Sequence, residues 1–197
     1  MAKDEQSIPS PFSKSAYDLY YDAMEMLQSE DMGDAIQALQ VLEQAYKLEP
    51  NLIDLQLGYI EAYNTLGIHA SVRAHIELGF LMVTERFPKW PKRLEWGDID
   101  NRGYLRIIQA KADWSWDQGD TEMAEDLYRL LLRLNPHDNQ GVRYVLAALY
   151  AGLSGEELDT LWLQSNESQD FSRVETMLEK QNQKHHFWDP PDLDDEE

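Results

Sequence analysis

The chain has 197 residues, 37 of them acidic and 17 basic, so its formal net charge is −20. It contains no cysteine, which excludes disulfide scaffolds, thiolate zinc sites, iron–sulfur clusters and cysteine nucleophiles. The charge disfavours DNA, RNA and anionic membranes as partners, while 43% hydrophobic and 11% aromatic residues suffice for a packed core.

In chain order, residues 1–12 lack an apolar stretch of signal-peptide length and read as a flexible N-terminus. Helical spacing of apolar residues begins at Ser13 and runs to Gln28, with Ala16, Leu19, Tyr20, Ala23 and Leu27 on one side. Asp31 caps a second helix whose stripe is Ala35, Ile36, Ala38, Leu39, Leu42, Ala45 and Tyr46, stopped by Pro50. A third runs from about 52 to 66 and ends at Gly67; a fourth, from about 70 to 86, stops before Pro88. A long connection, 87–101, carries two prolines and two tryptophans. Further helices are expected at about 102–118, 120–134, 139–151, 155–164 and 170–183.

The longest apolar run, Tyr144–Leu153, is about half of what a membrane-spanning helix needs, so a cytoplasmic protein without membrane association is expected. The fold expected is all-α, about nine helices, in one helical domain over 13–184 with capping helices at 155–183. Residues 185–197, which end in DPPDLDDEE, read as an acidic disordered tail.

The acidity is unevenly spread. Residues 1–85 carry 4 basic and 14 acidic groups and residues 144–197 carry 3 and 13, whereas 86–143 carries 10 of each. That neutral centre also holds Trp90, Trp96, Trp114 and Trp116. Arginine and tryptophan are the residue types most enriched at binding hot spots, so a partner is expected there.

The stretch 105–138 has the marks of a repeat: Gly119 at a helix-to-helix turn, Ala124 and Tyr128 at a small and a large contact position, and Pro136 at the close. It resembles a tetratricopeptide repeat. Leu134–Tyr144, LNPHDNQGVRY, resembles the LNP-x-DNQG-x-RY signature of a subset of that family. The resemblance is strong over 102–151 and weaker over 14–151. Ile108, Lys111 and Ala112 stand where the family commonly has Trp and Leu-Gly. It implies antiparallel helix pairs stacked as a short right-handed superhelix, and it implies no defined chemistry.

In such arrays the first helix of each pair lines a concave face. Family positions put Arg106, Gln109, Asp113 and Trp116 there, and the next helix adds Gln140, Arg143 and Tyr150. Arg106 and Arg143 are suited to gripping a peptide carboxylate. Alternatively, Asp138 and Asn139 only cap a helix and Arg143 pairs with Asp113 or Asp138.

No catalytic or metal-binding constellation emerges. Asp98, Asp100 and Gly103 sit at EF-hand positions, but Arg102 and Gln109 replace essential ligands. The basic cluster Arg86, Lys89, Lys92 and Arg93, interleaved with Phe87 and Trp90, is expected to pin the long connection against an acidic neighbouring helix or to present a hot spot to a protein partner, in preference to binding nucleic acid. The function expected is a non-enzymatic, cofactor-free adaptor that binds a protein or peptide around 86–150. The alternatives are a self-assembling homodimer, occupation of the groove by the chain's own tail, and an acidic nucleic-acid mimic.

Overall fold

The computed structural model describes residues 14–190. Among these residues every regular element is an α-helix: α1 (Ala16–Leu27), α2 (Met32–Leu48), α3 (Asp54–Thr65), α4 (His69–Arg86), α5 (Ile99–Asp117), α6 (Thr121–Leu134), α7 (Val142–Ala151), α8 (Gly155–Ser168) and α9 (Ser172–His185). No described helix is long and apolar enough to cross a membrane.

The helix ends follow local chemistry. Ser15 and Ser154 each form a capping box, with Asp18 and Glu157 respectively, and Asp31, Asp98 and Asp120 accept backbone N–H groups at the starts of α2, α5 and α6. Asp98 thus starts α5 at Ile99, one turn before the expected 102. At the other end of α5, Gly119 takes φ 79° and the Asp120 N–H donates to Ser115 O at 2.9 Å. That left-handed glycine lets the chain turn directly into α6.

Helix α7 starts at Val142, later than the expected 139. Asp138 (φ 50°) and Gly141 (φ 72°) are both left-handed, and the Asp138 carboxylate accepts from the N–H groups of Val142 (2.7 Å) and Arg143 (3.0 Å). A buried carboxylate holding two amides competes with helix formation over these residues.

Within the helical stretch expected over 13–184, the described residues fall into two compact units, divided between His75 and Ile76 inside α4. Helices that pack mainly on their neighbours in sequence leave few contacts crossing any one point of the chain.

In the first unit α1 packs on both α2 and α3, and α2 on α3. Its core joins Tyr20, Leu27, Leu42, Leu52 and Leu55 to five buried alanines from α1 and α2 and Ala62 of α3. Gly58 sits against Leu42 so closely that a Cβ there would lie 2.7 Å from Leu42 Cδ2. The buried stripe of α2 is narrower than its spacing suggests. Ala35, Ala38, Leu42 and Ala45 are buried, but Ile36 and Tyr46 remain 51% and 45% exposed. His75 stacks on Tyr59 (ring centroids 4.6 Å apart) and Tyr63 (5.5 Å), with Nδ1 2.9 Å from Gln56 Oε1.

In the second unit α5 packs on α6, α6 on α7, α7 on α9 and α8 on α9. Ala124 and Tyr128 are fully buried in α6, and Leu105, Ile108 and Ala112 in α5.

Residues 185–188, expected to belong to a disordered tail, are held by specific contacts. His185 is the last residue of α9, and Asn182 then holds the chain beyond it, accepting from the N–H groups of Phe187 and Trp188 and donating to Trp188 O at 2.7 Å. Phe187 is buried, and Trp188 Nε1 donates to Pro136 O at 3.0 Å. Burial of Phe187 and the hydrogen-bonded, half-buried Trp188 outweigh the acidic, proline-rich composition up to this point. Residues 191–197, and the N-terminal segment 1–12, lie outside the described residues.

Candidate functional site

One flank of α5 carries half-buried Gln109, Asp113 and Trp116 and exposed Asp117 at helical spacing, so all four face one side. Opposite them stand Val145 of α7 and Gly155, Leu158 and Asp159 of α8, enclosing a cleft of about 250 Å³. The Schellman turn at Gly119 ends α5 here, and the Ser154 capping box starts α8 beside it, so both acidic helix ends are held by local hydrogen bonds.

Asp113 is the deepest of the three carboxylates. Its Oδ1 accepts from the hydroxyl of fully buried Tyr128 at 2.7 Å. Burial pushes its pKa up to about 6; the Tyr128 hydrogen bond opposes the rise, and the charges of Asp117 and Asp159 add to it. Burial, then the charge of Asp159, raises Asp117 as well. Among the described residues no lysine or arginine lies within 4.0 Å of Asp113, Asp117 or Asp159. Trp116 packs edge-on against Tyr128 at 6.4 Å and supplies an aromatic wall. The cleft is therefore a negatively charged recess with an indole on one side, suited to a desolvated cation.

Of the seven residues expected on the concave face, Gln109, Asp113 and Trp116 line this cleft. Gln140 is joined to them through its Nε2, which donates to Gln109 Oε1 at 2.7 Å, while its own buried Oε1 has no donor. The other three are engaged elsewhere. The Arg106 guanidinium lies 5.5 Å from the Trp96 ring centroid. Arg143 is paired with Asp138 at 2.8 Å and lies between the rings of Tyr144 (4.4 Å) and Trp188 (4.9 Å). Tyr150 donates to Glu125 at 2.6 Å, accepts from Arg129 and stacks on His185 with ring centroids 3.9 Å apart.

The carboxylate clamp expected of Arg106 and Arg143 is thus not assembled. Asp138 already satisfies Arg143, as the alternative reading of the sequence had it, and Trp188 covers it. Asp117 was legible as the residue one turn after Asp113 on the same face. Leu158 and Asp159 carry no such signal, because α8 reaches the cleft only through the turn at Gly152–Ser154.

Among the described residues no group of three or more His, Asp or Glu side chains is disposed to hold a metal ion. No protein-family model matches the sequence, and no curated protein or solved structure shows detectable similarity to it.

Proposed function

We propose that this chain is a non-catalytic, tetratricopeptide-like interaction module that captures a lysine or arginine side chain of a protein partner in the α5–α7–α8 cleft. The observation that carries this reading is the set of three carboxylates, Asp113, Asp117 and Asp159, without a cationic neighbour and walled by Trp116. Burial and the neighbouring aspartate charges raise the pKa of Asp113 and Asp117, and an entering cation relieves that cost. The volume, about 250 Å³, falls below the range of roughly 300–1,000 Å³ common for small-molecule sites and suits one long side chain.

Support for the repeat architecture comes from α6, where Ala124 and Tyr128 are fully buried between a left-handed Gly119 and Pro136. The ligand class differs from the acidic peptide that paired arginines suggest, because Arg143 is committed to Asp138.

Isothermal titration of the full chain with a lysine- and arginine-rich peptide tests this, with a glutamate-rich peptide of equal length as comparison. The basic peptide is expected to bind, and Asp117→Asn with Asp159→Asn to weaken it about tenfold or more. Glu43→Gln with Glu49→Gln changes the net charge equally at exposed sites of α2 and its end, and is expected to leave affinity nearly unaltered. Equal weakening by both pairs would reduce the cleft to a share of the general acidity and overturn the proposal.

A further inference from the structure

The geometry points to a partner for the cleft within the protein itself: the basic connection between α4 and α5 of a second copy inserts a cation into it, joining copies head to tail. This rests on the reading of the cleft as a cation site.

The connection is built to present charge. Arg86, Lys89, Lys92 and Arg93 are all exposed, and among the described residues no carboxylate lies within 4.0 Å of any of them. Three other cations of the same unit are paired, Lys111 with Glu77 (2.7 Å), Arg129 with Glu125 (3.0 Å) and Arg143 with Asp138 (2.8 Å), and the rest of its unpaired cations are spread over α5, α6 and α9, whereas these four lie within eight residues. In a chain of net charge −20, four neighbouring cations without a carboxylate are an imbalance that calls for an acidic surface.

The backbone beneath those cations is held at several points. Phe87 packs edge-on against Tyr104 at 5.2 Å, the Arg133 guanidinium donates to Pro91 O at 3.1 Å, and the N–H of buried Leu94 donates to Leu134 O at 2.8 Å. Pro88 and Pro91 restrict φ within it. A segment already ordered loses little conformational entropy on docking.

The two charged features cannot meet within one copy. The Phe87–Tyr104 and Glu77–Lys111 contacts run α4 antiparallel to α5, so the connection closes over the N-terminal end of α5. Asp113 and Asp117 lie nine and thirteen residues beyond Tyr104, about 14 and 20 Å along the helix at 1.5 Å per residue. A four-carbon lysine stem does not span that distance. Contact in trans does. It uses different surfaces on the two copies, so each pair keeps one free connection and one free cleft and further copies add unless the ring closes. Long-range repulsion between chains of −20 opposes assembly at low salt. Near physiological ionic strength, where the Debye length is about 8 Å, that repulsion is screened while the contact pairs persist.

Three proteins and one peptide decide the matter: the full chain, its Lys89→Glu/Lys92→Glu/Arg93→Glu variant, its Asp117→Lys/Asp159→Lys variant, and a peptide of residues 86–93. Sedimentation velocity near physiological salt is expected to show concentration-dependent assembly of the unaltered chain and monomers for each variant alone. An equal mixture of the variants is expected to associate again, because the native connection of one meets the native cleft of the other. The peptide is expected to bind the unaltered chain and to bind the cleft variant at least about tenfold more weakly. Circular dichroism verifies that both variants fold. If the peptide binds while the chain stays monomeric at millimolar concentration, self-association is overturned and the cleft reading stands. If the peptide does not bind, the cleft reading falls and this inference falls with it. If the chain assembles but neither variant alters assembly, the interface lies elsewhere and the inference is overturned.

Discussion

The hydroxyl of Tyr128 donates to Asp113 Oδ1 at 2.7 Å, tying the fully buried ring of α6 to the deepest carboxylate of the α5 cleft. One contact therefore joins the packing of a helix pair to the electrostatics of the candidate site. Asp113 retains its charge under burial at the cost of a pKa raised from 3.8 to about 6.

That shift has a direct consequence for stability. The folded chain holds the Asp113 proton to higher pH than the unfolded chain does, so between about pH 4 and 6 it binds more protons. Stability contributed through this group falls as pH rises across that window and is level above it. Asp113→Asn keeps an acceptor for Tyr128 and removes the charge. Urea unfolding at pH 7.5 is expected to show the variant more stable by about 1–3 kcal/mol, the upper figure being about what the full shift is worth. Its advantage is expected to vanish near pH 4.

The same shift governs ligand binding. A cation bound in the cleft favours ionised Asp113, so affinity for a basic peptide is expected to rise as pH is increased through about 6 and then level off. Titrations at pH 5, 6 and 7.5 check this, and Asp113→Asn is expected to abolish the slope. An affinity independent of pH in the unaltered chain would count against Asp113 contacting the ligand.

Arg143 and Arg106 are expected to differ in kind. Arg143 neutralises Asp138, whose side chain is 1% exposed, and burial already raises the Asp138 pKa. Arg143→Ala leaves that carboxylate buried without its cation and is expected to cost about 3–5 kcal/mol of unfolding free energy. Arg106 is exposed and touches only the Trp96 ring among the contacts resolved for it, so Arg106→Ala is expected to cost less than about 1 kcal/mol. Equal losses in denaturant titration would contradict the structural role given to the Arg143–Asp138 pair.

Asn182 acts as the clasp for the last described turn. Its side chain serves three backbone groups of Phe187 and Trp188. Asn182→Ala is expected to speed amide exchange at residues 187 and 188 about tenfold or more, by loss of hydrogen bonds worth about 1 kcal/mol each. Exchange rates in α5 and α6 are expected to stay unchanged.

Gly58 offers a test of packing in the first unit. Alanine has the higher helix propensity by about 1 kcal/mol, yet its Cβ would meet the fully buried Leu42 at 2.7 Å. Overpacking at such a site costs about 1–3 kcal/mol, so Gly58→Ala is expected to lower the melting temperature despite the propensity gain. If the steric account is right, Leu42→Ala is expected to cost less in the Gly58→Ala background than in the unaltered chain, because it removes the clash together with the leucine.

By itself the sequence determined the helices and much of their punctuation. Apolar residues recur at helical spacing, Asp31 caps, Gly67 and Gly119 sit at helix ends where the chain turns left-handed, and Pro50 and Pro136 stop their helices. These are interactions within a few residues, which is why a linear reading reaches them. It also picked out one face of α5, since Gln109, Asp113 and Trp116 share that face by periodicity alone. What only the tertiary structure decided was the company those residues keep. The charge of −20, which divides as −10, 0 and −10 along the chain, suggested a neutral centre ready for an acidic ligand. Folding brings Asp159 of one acidic end against Asp113 and Asp117 of the centre, and gives Arg143 to Asp138. Coulomb interactions depend on distance in space and on burial, not on separation in sequence, so the sign of the candidate site was set only when α8 packed beside α5.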